Sequence, residues 1–366
     1  MTSFRPDRRQ ILFATAAAAM SAITQPSLRA QAATVLARDL LGELTLRERI
    51  GQLFFFEARG QVMSDSYMAD LMTIKPGGII LVAANIGDAA TFTQFVSAIH
   101  ASNPLVPPFV SIDQEGGPVT RLAGDPAPGA VQMGTLDDAS VEEYGEERAS
   151  FLLKYGIDVN FAPVADVAYH NTSTMALRSF GSDPSVVAEK VAAMVKGTRK
   201  GGVIGAAKHF PGHGRTTTDS HKTIPEIDVP WDEWLQTDAK PFESAIRNKV
   251  EMIMLGHLRY DRIDYKPMSL SKVAVRALRN DLGFEGLIVT DDLGMGALAD
   301  WDPYSKVSQA VDAGVDAMLY GSPTTGWSAL IEHVHGMISD EIVSRQDINQ
   351  RAEKMIALKI QHFGLS

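Results

Sequence analysis

Residues 203–221 read VIGAAKHFPGHGRTTTDSH. The stretch opens on an apolar run, Val203 to Ala207, and passes directly into Lys208, His209 and a Pro-Gly-His-Gly turn. A short apolar run without polar alternation predicts a strand buried on both faces, as strands of parallel sheets are. Such a strand, ending where the polar residues begin, delivers cationic and titratable groups at its carboxyl end. In parallel α/β proteins that is the end that binds ligands.

Outward from this stretch the pattern repeats. Apolar runs at 51–56, 78–82, 109–112, 159–162, 203–207, 252–255, 287–290 and 317–320 predict eight strands. Between and after them, helical spacing of apolar residues covers 89–100, 141–155, 184–199, 231–247, 272–281 and 345–361. Strands alternating with helices predict parallel pairing, and eight is the number at which such a sheet closes. The expected fold is therefore α/β, a (β/α)8 TIM-type barrel forming a single catalytic domain over 34–366. An open doubly wound sheet is the alternative. No strand, however, is followed by GxGxxG or by a phosphate loop.

The chain has 366 residues, 45% of them hydrophobic, which is enough for one such barrel with additions. Its formal net charge is -10 and no dense basic run follows the first residues, so nucleic acid is not an expected partner. The absence of cysteine excludes disulfides, thiolate metal sites and a cysteine nucleophile. Residues 1–33 have the form of an export signal: Arg5, Arg8 and Arg9 precede an alanine-rich apolar run from Ile11 to Ile23, and Ala30-Gln31-Ala32 is a small-x-small cleavage site. The Arg8-Arg9 pair is twin-arginine-like. The run is short for a bilayer span, so stable membrane insertion is not expected, and the mature protein is expected in the periplasm or outside the cell.

The chemistry concentrates past the strand ends. Asp219 and His221 stand one residue apart, so in extended backbone they leave on one side, and the carboxylate can orient the imidazole. His221 is thereby a candidate proton donor and acceptor. His209, His213, Asp219 and His221 could alternatively ligate a metal, but no HExxH helix accompanies them and no metal or other cofactor is expected. Asp113, Glu115 and Arg121 follow the third run, Asp166 and Arg178 the fourth, His257 the sixth, and Asp291-Asp292 the seventh. Successive strand residues point to opposite faces, so only one of Asp291 and Asp292 can aim into a common mouth.

Four ordered motifs, IDQEGGPVTRL at 112–122, ALRSFGSDP at 176–184, KHFPGHG followed by DSH within 208–221, and VTDDLGM at 289–295, resemble those of glycoside hydrolase family 3. Within it the likeness is to the single-domain bacterial β-N-acetylglucosaminidases of the peptidoglycan-recycling type. It runs from about Leu44 to the C-terminus. The resemblance implies that Asp291 is a catalytic nucleophile and that His221, oriented by Asp219, is the general acid/base. It also implies that Asp113, Arg121, Arg178, Lys208 and His209 bind the sugar. The implied activity is retaining hydrolysis of terminal non-reducing β-linked GlcNAc from peptidoglycan fragments or chitooligosaccharides. A β-glucosidase or other exo-glycosidase of the same family, and a noncatalytic sugar-binding protein, are the alternatives.

Overall fold

The computed structural model describes residues 32–365, and the basic start, the apolar run and most of the cleavage site of the expected export signal lie outside them. Eight parallel strands form a closed barrel: β1 (Phe54–Glu57), β2 (Gly78–Leu81), β3 (Phe109–Ile112), β4 (Val159–Asn160), β5 (Ile204–Phe210), β6 (Met252–Leu255), β7 (Leu287–Thr290) and β8 (Ala317–Tyr320). Each strand pairs with its neighbours in sequence, and β1 closes on β8 in the register Phe54 to Met318 and Phe56 to Tyr320.

The twofold periodicity of the strands divides their side chains between two cores. Phe55, Ile80, Phe109, Val159, Ile204, Met252, Leu287 and Ala317 fill the barrel interior. Their neighbours Phe54, Phe56, Ile79, Val110, Ile253, Ile288 and Met318 face the surrounding helices. Both faces being buried, the strands read as continuous apolar runs. The C-terminal helix Arg345–Phe363 crosses the amino ends of the strands, where Met355 joins the interior cluster, Phe363 stacks on Phe109 and Lys359 Nζ donates to Gln52 Oε1 at 2.8 Å. That end is plugged, and the carboxyl ends remain for the site.

Three expected boundaries move for physical reasons. Gly51 closes the helix Leu46–Gly51, held at its start by a Thr45/Glu48 capping box, so β1 begins at Phe54. The 231–247 stretch splits into Trp231–Gln236 and Ala239–Arg247 at Thr237 and Asp238. Most consequentially, β5 does not end at Ala207. It continues through Lys208, His209 and Phe210, bridging to Val164 on one side and pairing Phe210 with Leu255 across a register shift on the other. Lys208 and His209 sit within a buried strand because carboxylates from the neighbouring strand ends meet them, Asp113 and Glu115 past β3 for Lys208 and Asp166 past β4 for His209.

Candidate active site

Fourteen side chains from the carboxyl ends of the strands and the loops beyond them line a polar cavity of about 110 Å³. All eight residues proposed from sequence, Asp113, Arg121, Arg178, Lys208, His209, Asp219, His221 and Asp291, are among them.

The floor is an ion network. Lys208, buried in β5, places Nζ 2.6 Å from Asp113 Oδ1 and 2.7 Å from Glu115 Oε1. Glu115 also receives a two-pronged grip from Arg178, Nε to Oε2 at 2.8 Å and Nη2 to Oε1 at 2.7 Å. Burial alone would raise the Glu115 pKa, but Lys208 and Arg178 override it and hold the carboxyl far below its ordinary range. For Lys208 burial opposes the charge and Asp113 and Glu115 outweigh it, so its pKa rises and the ammonium persists. Glu115 thus fixes two of the expected sugar-binding cations, a role the DQEGG run did not disclose.

Arg121 reaches the cavity because its loop folds back on Gln114. The Gln114 Oε1 accepts from the backbone N–H groups of Arg121 (2.8 Å) and Leu122 (3.0 Å). Gly116, at φ 81°, completes the turn, and a side chain there would meet Arg148 and the Pro128 carbonyl. Arg121 Nε is buried without a hydrogen-bond partner, a donor held ready beside the cavity.

Asp166 organises the histidines. Its Oδ2 lies 2.8 Å from His209 Nδ1, and its Oδ1 accepts from the backbone N–H groups of His209 (3.1 Å) and His213 (2.6 Å). His213 in turn meets Ser220 Oγ through Nε2 at 3.0 Å, and burial lowers its pKa. His213, weighed from sequence only as a metal ligand, and Ser220, not singled out at all, both line the cavity.

Above this floor stands the Asp219–His221 pair. Asp219 Oδ1 accepts from the His221 backbone N–H at 3.0 Å and lies 2.8 Å from His221 Nδ1. The His221 side chain is 65% exposed and that of Asp219 28%, so the imidazole can reach an arriving molecule while its anchor stays half-buried. Burial pushes the Asp219 pKa up, but the bonds from His221 prevail and leave it lowered.

The adjacent acids after β7 divide as strand geometry requires. Asp291 lines the cavity. Burial would raise its pKa, yet His209, His257, the Asp292 N–H and Lys208 bring it below the ordinary value, so it is ionised at neutral pH. Asp292 instead accepts from Gly294 N and Gly321 N, both at 2.8 Å, and burial raises its pKa. His257 is not in the mouth: it is buried between Ser269 Oγ (2.7 Å) and the Asp292 carbonyl (2.8 Å), bracing the turn that follows Asp291.

The four side chains weighed as metal ligands are claimed separately, His209 by Asp166, His213 by Ser220 and His221 by Asp219. Among the described residues no group of three or more His, Asp or Glu is arranged to hold an ion. An ionised carboxylate, an exposed carboxylate-bound imidazole and a cluster of fixed cations around one small polar cavity can bind a polyhydroxylated ring, attack it and exchange a proton with its substituent.

Known proteins share this arrangement of chain. A β-hexosaminidase A of Pseudoalteromonas piscicida is 34% identical over 270 residues, covering 66% of this chain and 45% of that protein. A β-hexosaminidase of Methylobacillus flagellatus is 33% identical over 254 residues, 66% of this chain and 72% of its own. Among solved structures, a glycoside hydrolase family 3 β-N-acetylglucosaminidase from Paenibacillus sp. superposes with a TM-score of 0.83 at 29% identity, over 88% of this chain and 63% of that one. This chain therefore spans under half of the first relative and under two thirds of the third. The family model for the glycosyl hydrolase family 3 N terminal domain matches residues 45–358, and the chain belongs to that family.

Proposed function

We propose that the protein is a retaining exo-β-N-acetylglucosaminidase that hydrolyses a terminal non-reducing β-linked GlcNAc through a covalent glycosyl-Asp291 intermediate. The observation that carries the reading is that Asp291, ionised, and the Asp219–His221 pair line one cavity. A retaining glycosidase needs a nucleophile for the anomeric carbon and a separate proton donor for the leaving oxygen, usually two carboxylates. Here the second carboxylate acts through an imidazole. His221 gives its Nε2 proton to the departing oxygen while Asp291 attacks, then, neutral, takes a proton from the water that releases the sugar. Asp219 holds Nδ1 and offsets the charge of the imidazolium. Asp113, Arg121, Arg178, Lys208 and His209 hold the ring. That relatives are named β-hexosaminidases supports the choice of sugar.

The aglycone side is a peptidoglycan fragment or a chitooligosaccharide, and the site of action is the periplasm or the medium. Support for that location is the twin-arginine-like signal read at 1–33. Fractionation of cells expressing the full chain and its Arg8→Lys/Arg9→Lys form checks it, retention of the variant in the cytoplasm being the expected result.

Paired nitrophenyl β-glycosides of GlcNAc and glucose, given to the protein and to Asp291→Ala, test the activity. Turnover of the GlcNAc form that is lost in the variant is the expected result. Preference for glucose would overturn the sugar assignment, and binding of GlcNAc without turnover would make this a carbohydrate-binding protein.

A further inference from the structure

Arg215 lies in the loop between β5 and His221, and its side chain ties three segments together. Nε pairs with Asp238 Oδ2 at 2.7 Å, Nη1 with Glu233 Oε1 at 2.8 Å, and Nη2 donates to Thr237 Oγ1 at 2.9 Å. The guanidinium also stacks over Tyr169, its carbon 4.6 Å from the ring centre, while the Arg215 carbonyl meets His170 Nε2 at 3.1 Å. Tyr169 and His170 belong to the loop after β4, the one that goes on to carry Thr174, Met175 and Arg178 into the cavity wall. Glu233, Thr237 and Asp238 lie at the junction of the helices Trp231–Gln236 and Ala239–Arg247.

Asp238 is 1% exposed whereas the Glu233 side chain is 51% exposed, so the arm to Asp238 is a buried ion pair and the arm to Glu233 reaches the surface, the planar guanidinium fixing the angle between them. Up to Arg215 the loop is held through its backbone: the Gly212 carbonyl accepts from Tyr260 Oη at 2.6 Å, His213 N–H donates to Asp166 Oδ1 at 2.6 Å, and the Gly214 carbonyl accepts from Tyr169 N–H at 3.2 Å. Beyond Arg215, Ser220 is the next residue bonded to another part of the chain, its carbonyl accepting from Ala297 N–H at 3.1 Å and its Oγ meeting His213 Nε2 at 3.0 Å. The guanidinium is thus the side-chain clamp at the start of the span 216–219, and removing it would loosen that span, which leads into Asp219 and His221.

We propose that Arg215 is a positioning residue for proton transfer: it sets the loop so that the Asp219–His221 pair stands over the cavity. The inference rests on the reading of His221 as the acid/base. Arg215 touches neither Asp219 nor His221 and is not among the residues lining the cavity, so its effect passes through the loop alone.

The test measures kcat/KM for N,N′-diacetylchitobiose, whose leaving oxygen needs a proton, and for dinitrophenyl β-GlcNAc, whose leaving group does not. In Arg215→Ala the chitobiose value falls about 100-fold, the scale of an ångström's misplacement of a catalytic group. The dinitrophenyl value stays within about threefold, since protonation contributes little there. Arg215→Lys, which keeps the charge without the fork, recovers part of the loss, and it is the variant to read if Arg215→Ala does not fold. In a His221→Ala background Arg215→Ala costs less than about threefold, because the two act through one group. Equal losses on both substrates, or full additivity with His221→Ala, overturn the inference while leaving the role of His221 intact. A His221→Ala variant without leaving-group dependence overturns the acid/base reading itself and the inference with it.

Discussion

Gly296 lies against the carbonyl of His221: a Cβ at position 296 would stand 2.2 Å from that oxygen. Beside it Ala297 N donates to Ser220 O at 3.1 Å. The loop after β5, which bears the proposed acid/base, is thereby seated on the loop after β7, which begins with the proposed nucleophile. This contact, between backbones and independent of any charge, fixes one loop against the other. Gly296→Ala must move the His221 backbone, and a fall of about 10- to 100-fold in turnover of chitooligosaccharides is expected, with the unfolding temperature lowered by a few degrees. Steady-state kinetics beside a thermal melt check it; unaltered turnover would mean that the seat does not hold His221.

Of the neighbouring acids, Asp291 lines the cavity and Asp292 braces the backbone beside it, and substituting each tests the roles proposed for them. Asp291→Asn removes the proposed nucleophile and leaves a side chain that can still accept from the Asp292 N–H, as Asp291 does at 2.8 Å. Activity falls by at least about 10⁴-fold with the fold retained. Asp292→Asn weakens charge-assisted bonds to Gly294 N and Gly321 N. It lowers the unfolding temperature by roughly 5 °C and activity only secondarily. Melting curves and residual activities of the two variants, measured side by side, distinguish the roles; loss of stability in Asp291→Asn with activity retained would reverse the assignment.

Asp219→Ala tests the grip on the imidazole. Without Asp219 Oδ1 the His221 ring loses its anchor at Nδ1 and the charge that balances its protonated form. By analogy with carboxylates that orient a catalytic histidine elsewhere, kcat drops about 100-fold or more. Added azide, a nucleophile that needs no base, restores the sugar-release step for substrates with activated leaving groups. Failure of azide to accelerate turnover would count against His221 acting as a base.

The barrel was legible because its strands are buried on both faces: runs such as Met252–Leu255, Leu287–Thr290 and Ala317–Tyr320 match the sequence expectation residue for residue. The site residues were legible where they follow such a run, as Asp113 and Asp291 do. What was not legible is pairing across the barrel. Nothing local to DQEGG says that Glu115 will receive Lys208 and Arg178, residues 93 and 63 positions away, nor that the ladder can hold Lys208 and His209 inside β5 once those charges are met. His257 misled for the complementary reason. It follows β6 as a mouth residue should, yet Ser269 and the Asp292 carbonyl take both its nitrogens.

Glu115 gives the stability of the cavity floor a defined pH dependence. Its pKa is depressed in the folded protein from an ordinary value of 4.5, because Lys208 and Arg178 outweigh the cost of burial. A depressed carboxylate contributes stability that is complete above its unfolded pKa and is lost as pH falls below that value towards the folded one. The unfolding temperature of the wild type should therefore decline progressively below about pH 4.5. In Glu115→Gln this contribution is absent at every pH, so the variant is less stable at pH 7 and the two proteins converge as the medium is acidified. The same substitution leaves Lys208 with Asp113 alone and Arg178 without its two-pronged partner. KM for GlcNAc substrates consequently rises at neutral pH by about tenfold, the effect of losing one well-placed charged contact. Melts of both proteins from pH 3 to pH 7 check the first expectation; parallel curves, with a constant offset, would show that Glu115 is not the group being titrated.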